Sequence, residues 1–116
     1  MIEKGDYMKV KRQITEEILK DYRNKKIKIK DLELLGEYEK AENSKNLICR
    51  IDNAMNVLNE NEKKLINLRF IEGDFTKSWK EISMILHLSV RRCHEIRENA
   101  LDKLADIIIT AQKPHK

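Results

Sequence analysis

Three observations predict an all-α fold. Apolar residues recur three or four positions apart over long stretches, with almost no alternation apart from Ile27–Lys28–Ile29–Lys30. The 116 residues include only 3 glycines and 1 proline, too few for a turn-rich β protein. Helix-start signals open several of the apolar stretches. The expected architecture is a charged helical N-terminal region over residues 1–58, which packs or dimerises, a helix-turn-helix module over 59–112 and a mobile tail over 113–116.

In the N-terminal region, Tyr7, Val10, Ile14, Ile18 and Tyr22, with Leu19 beside them, predict one apolar stripe on a helix from Tyr7 to Arg23. Residues 24–30 read either as a basic linker or as a short extended piece. Leu32, Leu34, Leu35 and Tyr38 predict a short helix from Asp31 to Glu42, interrupted by Gly36 at a cost of about 1 kcal/mol relative to alanine. Asn43, Ser44 and Asn46 are cap-like and predict a break. A helix from Ser44 to Leu58 follows, with Leu47, Ile48, Ile51, Ala54, Met55 and Leu58 on its apolar face. That face is too apolar to stand alone, so it packs on the C-terminal module or on a second copy of the chain.

Asn59 with Glu62, and Ser78 with Glu81, have the spacing of capping boxes, and Ser89 is a plain N-cap. Gly73 is placed to end the first of the three helices they start, and Gly73–Thr76 to form the loop. Ile82, Ile85 and Leu86 form one buried stripe; Cys93, Ile96, Ala100, Leu101 and Leu104 form the other. Between them lies only Leu86–Ser89, where His87 or Leu88 must serve in place of a turn glycine. Two short helices, a tight turn and facing stripes predict a helix-turn-helix, with the helix after Ser89 as the reader of the major groove. That helix is long enough to run to Ala111, bringing Leu104, Ile107 and Ile108 back onto the N-terminal half. Trp79 is expected to anchor the three-helix core rather than to touch bases.

Bulk properties agree with this reading and exclude others. The net charge is +4, distributed as +5 over residues 1–30, −5 over 31–62 and +4 over 63–116. A basic balance suits nucleic acid, although solvated helix faces account for it equally well. Cys49 and Cys93 lack paired-ligand spacing and read as small core residues. His87, His94 and His115 form no metal-ligand pattern, and no glycine-rich phosphate loop exists, so neither catalysis, a metal nor a cofactor is expected. No secretory segment is evident and no apolar run approaches the roughly 20 residues needed to cross a membrane, so the expected compartment is cytoplasmic, without membrane contact.

The exposed stripe of the reading helix supplies the candidate site. Opposite Cys93, Ile96 and Ala100 lie Arg91, His94, Glu95 and Glu98, expected to read base edges: Arg91 by a bidentate pair to guanine, Glu95 by accepting from a cytosine amino group. Arg92 and Arg97 sit on the flanks, where phosphate contact is expected. Lys77, Ser78 and Lys80 surround the free N–H groups at the start of the preceding helix, a second phosphate position. Arg69 is expected either to join them or to pair inside the module.

Over Leu58–Leu104 the chain resembles region 4 of the sigma-70 family, in Glu62…Leu65–Ile66–Asn67–Leu68–Arg69–Phe70, Trp79–Lys80–Glu81–Ile82, Ser89–Val90–Arg91–Arg92–Cys93–His94–Glu95–Ile96 and Asn99–Ala100–Leu101–Asp102–Lys103–Leu104. Taken whole, it is similar to small phage late-gene regulators of the RinA/ArpU type. The resemblance implies DNA contact by Arg91, Arg92, His94 and Glu95. It implies a phage or prophage late-gene activator acting at a promoter near RNA polymerase. Val90 departs from the polar or basic residue frequent in sigma factors, which argues against the same sequence preference. The expected partners are double-stranded DNA, RNA polymerase and a second copy through the N-terminal helices. The rival expectations are an RNA polymerase-binding module with little DNA readout of its own, and a small helical scaffold.

Overall fold

A computed structural model of the protein describes residues 4–71 and 77–109. Among these every regular element is helical: α1 Lys4–Lys20, α2 Tyr22–Leu34, α3 Tyr38–Ala54, a 3-10 turn Met55–Val57, α4 Glu60–Ile66, a π turn Asn67–Ile71, α5 Trp79–Leu86 and α6 Val90–Ile108. No helix among the described residues is long and apolar enough to cross a membrane. The expected roles of Gly73–Thr76, the helix continuation to Ala111 and the 113–116 tail lie outside the described residues.

Helix α6 is the axis of the molecule. Cys93, Ile96, Ala100, Leu101, Leu104, Ala105 and Ile108 are all buried. They recur at helical spacing and make one continuous side. Helices α1, α3, α4 and α5 all pack on α6. One core therefore runs from Leu19 in α1 through Ile51 in α3 and Leu65 in α4 to Ile82 in α5. Polar bonds at its margin set the register. Arg12 makes a bidentate pair with Asp102, at 2.8 and 3.0 Å, and Arg97 pairs with Glu16. As α1 advances from residue 12 to 16, its partners on α6 fall from 102 to 97, so the helices are antiparallel. Glu62, almost wholly buried, accepts from Lys103 at 2.8 Å and from the Asn59 N–H at 2.9 Å. Arg50 of α3 donates to the Ile108 carbonyl at 2.7 Å, tying α3 to the C-terminal end of α6.

The buried side of α1 differs from the expected stripe. Tyr7, Val10 and Ile14 stay 44–47% exposed, while Thr15 and Leu19 are buried; Tyr22, buried as expected, opens α2, since α1 ends at Lys20 rather than running on to Arg23. The helix is rotated because its inward face carries Arg12 and Glu16, which read as solvent-facing until their partners on α6 are known. Thr15 tolerates burial by returning its hydroxyl to the Lys11 carbonyl at 2.8 Å.

Residues 24–30, expected as a linker or an extended piece, are helical and belong to α2. Gly36 separates two helices rather than interrupting one. Its φ of +77° is the left-handed conformation that glycine adopts without steric cost. The Gly36 N–H donates to Glu33 O and the Glu37 N–H to Leu32 O, a Schellman ending. Helix α3 then runs straight through Asn43, Ser44 and Asn46, so no break occurs there. The α2–α3 hairpin is pinned at both ends, by Tyr22 Oη donating to Asp52 at 2.6 Å and by Lys45 pairing with Glu33 at 2.6 Å. The apolar face of α3 is covered within the chain: Ile48, Ile51 and Ala54 are buried between α2 and α6. Cys49, expected in the core, is exposed one position away from Ile48, and only Cys93 is buried. Burial pushes the Cys93 thiol pKa up.

Three predictions follow from this packing. Ile51→Ala should lower the unfolding free energy by about 2–5 kcal/mol in urea titration, since the cavity opens where α3 meets α6. A limiting amount of a thiol-alkylating reagent should label Cys49 first and Cys93 only on unfolding, read by peptide mass spectrometry. His87 has a φ of 57° in the turn after α5; His87→Gly should therefore raise stability by up to about 1 kcal/mol in the same titration.

Candidate nucleic-acid interface

Local signals place the two helices that carry the site. Ser78 Oγ accepts from the Glu81 N–H at 3.1 Å and opens α5; Ser89 Oγ accepts from the Arg92 N–H at 3.0 Å and opens α6. Only the serine half of the Ser78–Glu81 box is formed, whereas Asn59 and Glu62 exchange both bonds. Between α5 and α6 the chain turns through His87 in the left-handed conformation. The His87 N–H donates to Met84 O at 3.3 Å and the Leu88 N–H to Ser83 O at 3.0 Å. This second Schellman ending, without a glycine, makes the connection three residues long, His87–Ser89.

Because Cys93, Ile96 and Ala100 face the core, the opposite side of α6 faces solvent. Arg91, Arg92, His94, Glu95 and Glu98 are all exposed along it. Arg92 and Glu95 lie 3.5 Å apart as a loose i,i+3 pair. Exposed pairs of this kind contribute little, so both remain available to another partner. Glu98 sits near enough to Arg12 to help hold its charge, after the larger effect of the Asp102 hydrogen bond.

The start of α5 adjoins this face. Ser78 and Lys80 are exposed, and Lys77 is partly buried. The link is Trp79, whose ring centroid lies 4.6 Å from that of His94 and 5.1 Å from the Arg69 guanidinium. Trp79 is partly buried and packs against the core, so it anchors one edge of the module rather than plugging its centre. Arg69 also donates to Lys77 O at 2.5 Å, the inward pairing that was one of its two expected roles. Its placement follows from the π turn at Asn67–Ile71, which buries Phe70 while turning Arg69 towards α5.

Arg97 stands apart from the other candidates. It is turned towards α1, in its ion pair with Glu16, and only a quarter of its side chain is exposed. Ile85, expected in the buried stripe of α5, is 49% exposed and Met84 68% exposed, while Ile82 is buried. Ile85 borders a second surface feature, a groove of about 430 Å³ between α4 and α5 that Asn61, Lys64, Asn67, Leu68, Leu86 and His87 also line. Sequence reasoning missed a notch of about 330 Å³ beside His94, where Lys20 of α1 joins Arg69, Trp79 and Arg97. Nothing in the local sequence around Lys20 announces it, because the four residues come from four separate segments. Among the described residues no group of three or more His, Cys, Asp or Glu side chains is arranged to hold a metal ion.

No curated protein and no solved structure matches the chain. One family model matches residues 36–106, which run from the glycine that ends α2 to within three residues of the end of α6 as described. Helices α1 and α2 lie outside that range. The match covers more than half of the sequence, and the chain therefore belongs to the family described as protein of unknown function (DUF722).

Proposed function

We propose that the protein is a sequence-specific DNA-binding regulator of transcription, in which α5, the His87–Ser89 turn and α6 act as a helix-turn-helix. The observation that carries this reading is the division of α6 into two sides: an unbroken buried seam, and an opposite face on which Arg91, Arg92, His94, Glu95 and Glu98 are exposed together. Seating that face in a major groove brings Arg91 and Glu95 to base edges, where donor and acceptor side chains distinguish base pairs. Lys77, Ser78 and Lys80 then approach one phosphate strand, and Arg92 the other. Arg97 contributes to phosphate contact only if it leaves Glu16.

The resemblance to sigma-70 region 4 and to RinA/ArpU-type regulators supports a setting in phage or prophage late-gene activation, close to RNA polymerase. A second reading, docking on RNA polymerase with little DNA readout, has its own support in Ile85, exposed at the α4–α5 groove, and in its exposed neighbour Met84. Both belong to α5 and neither to the α6 reading face, so the two activities are separable by substitution.

Selection of bound fragments from a random duplex pool should yield a defined site. On that site Arg91→Ala should weaken binding by about 1–3 kcal/mol, while Lys80→Ala weakens all sequences alike and lowers the salt slope by about one. If the selection enriches nothing, or if Arg91→Ala binds the enriched site as tightly as the parent chain, the reading fails. Retention of RNA polymerase by Arg91→Ala but not by Met84→Glu would establish the second reading instead.

A further inference from the structure

The two most exposed large apolar side chains among the described residues, Leu34 and Leu35, lie at the α2–α3 hairpin, and two more of that kind, Tyr38 and Ile27, belong to the same hairpin. Leu34 is 83% exposed, Leu35 69%, Tyr38 66% and Ile27 62%. Helix α2 buries Tyr22 and Ile29 against α3, so Ile27 and Leu34 point to the opposite side. Between them on that side lie Lys30 and Asp31, also exposed. The four residues stand at i, i+3, i+4 and i+7, one stripe of a helix.

That stripe is symmetric about its own midpoint. When α2 is laid antiparallel on an identical helix, with a two-fold axis between residues 30 and 31, Ile27 meets the other copy's Leu34 and Leu34 meets its Ile27. Lys30 meets Asp31, and Asp31 meets Lys30. Apolar faces apolar at both ends, and opposite charges face each other twice at the axis. A two-fold interface demands this kind of self-complementarity, in which residue i contacts j and j contacts i. A solvated helix face does not.

We propose that this outer face of α2 is a homodimer interface, closed by antiparallel α2–α2 packing about a two-fold axis beside Lys30 and Asp31. Leu35 and Tyr38 add exposed apolar area at the turn of the hairpin, beside Leu34. The surface is small next to the roughly 800 Å² per partner of a standard interface, so association is expected in the micromolar range rather than the nanomolar. It does not depend on the DNA-binding reading, because neither α5 nor α6 takes part.

Sedimentation equilibrium of the full chain without DNA, from about 1 to about 200 µM, spans that range. The parent chain should pass from monomer to dimer. Lys30→Asp places two like-charged pairs across the axis, and so does Asp31→Lys; each alone should weaken the dimer by at least about tenfold. An equimolar mixture of the two variants restores both opposite-charge pairs and should recover association to within about threefold of the parent. Leu34→Glu should remain monomeric throughout. All these positions are exposed, so helical circular dichroism should stay at the parent value. A parent chain that stays monomeric overturns the proposal. So does association that survives Leu34→Glu, which would place the contact elsewhere, for instance on the exposed Tyr7–Val10–Ile14 stripe of α1. Failure of the mixed variants to pair would overturn the antiparallel register.

Discussion

Burial of the α6 seam, from Cys93 to Ile108, is the interaction on which the other helices depend. Helix α4 has 7 residues and α5 has 8, lengths at which an isolated helix in water is marginal at best. Their persistence comes from Leu65, Ile66 and Ile82 entering the same core as the seam. The charged margin then selects one arrangement among those that hydrophobic burial alone would accept. Arg12–Asp102, Glu16–Arg97 and Glu62–Lys103 each fix a residue of α6 against a different point of the chain. Pairs of this kind add little net stability, but a shifted register would strand a carboxylate such as Glu62 without its partners, at several kcal/mol. The apolar seam supplies the adhesion and the ion pairs supply the address.

The same division defines the outer side of α6. Since the seam is wide and fully covered, Arg91, His94 and Glu95 have nowhere to go but outward. Two serine caps and a left-handed residue hold α5 at a set angle behind them, so the exposed face is presented by a short, well-determined unit. Arg97 illustrates the limit of this logic. One turn along from its neighbours on the flank of the helix, it falls within reach of Glu16 and becomes part of the attachment of α1.

Most of the C-terminal architecture was legible in the amino-acid order. The caps at Asn59, Ser78 and Ser89 are written in short-range chemistry, and the α6 stripe in simple periodicity. What escaped was written in pairs distant in sequence. The inward face of α1 contains Arg12, Thr15 and Glu16, and only α6 explains why they turn inward. The break expected at Asn43–Asn46 failed because cap-like residues on an exposed flank do not end a helix whose opposite side is covered by α2 and α6. Cys49 and Ile85 each miss burial by a rotation of about 100°, the displacement of one residue along a helix, and composition cannot resolve that angle. The candidate site fared similarly: its exposed stripe on α6 was readable, whereas the notch joining Lys20 to Arg69, Trp79 and Arg97 was not.

The antiparallel seating of α1 on α6 also bears on how the chain acquires its structure. Arg12 and Asp102 are 90 residues apart, and Glu16 and Arg97 are 81 apart. During synthesis the first helix leaves the ribosome long before its complement exists, with Leu19 and Thr15 uncovered in the interim. Such non-local closure is slow compared with helix formation, and the waiting segment is open to wrong company until it is met. The later-made α6 is thus the helix that completes α1, and synthesis that stops short of residue 97 leaves α1 without its berth.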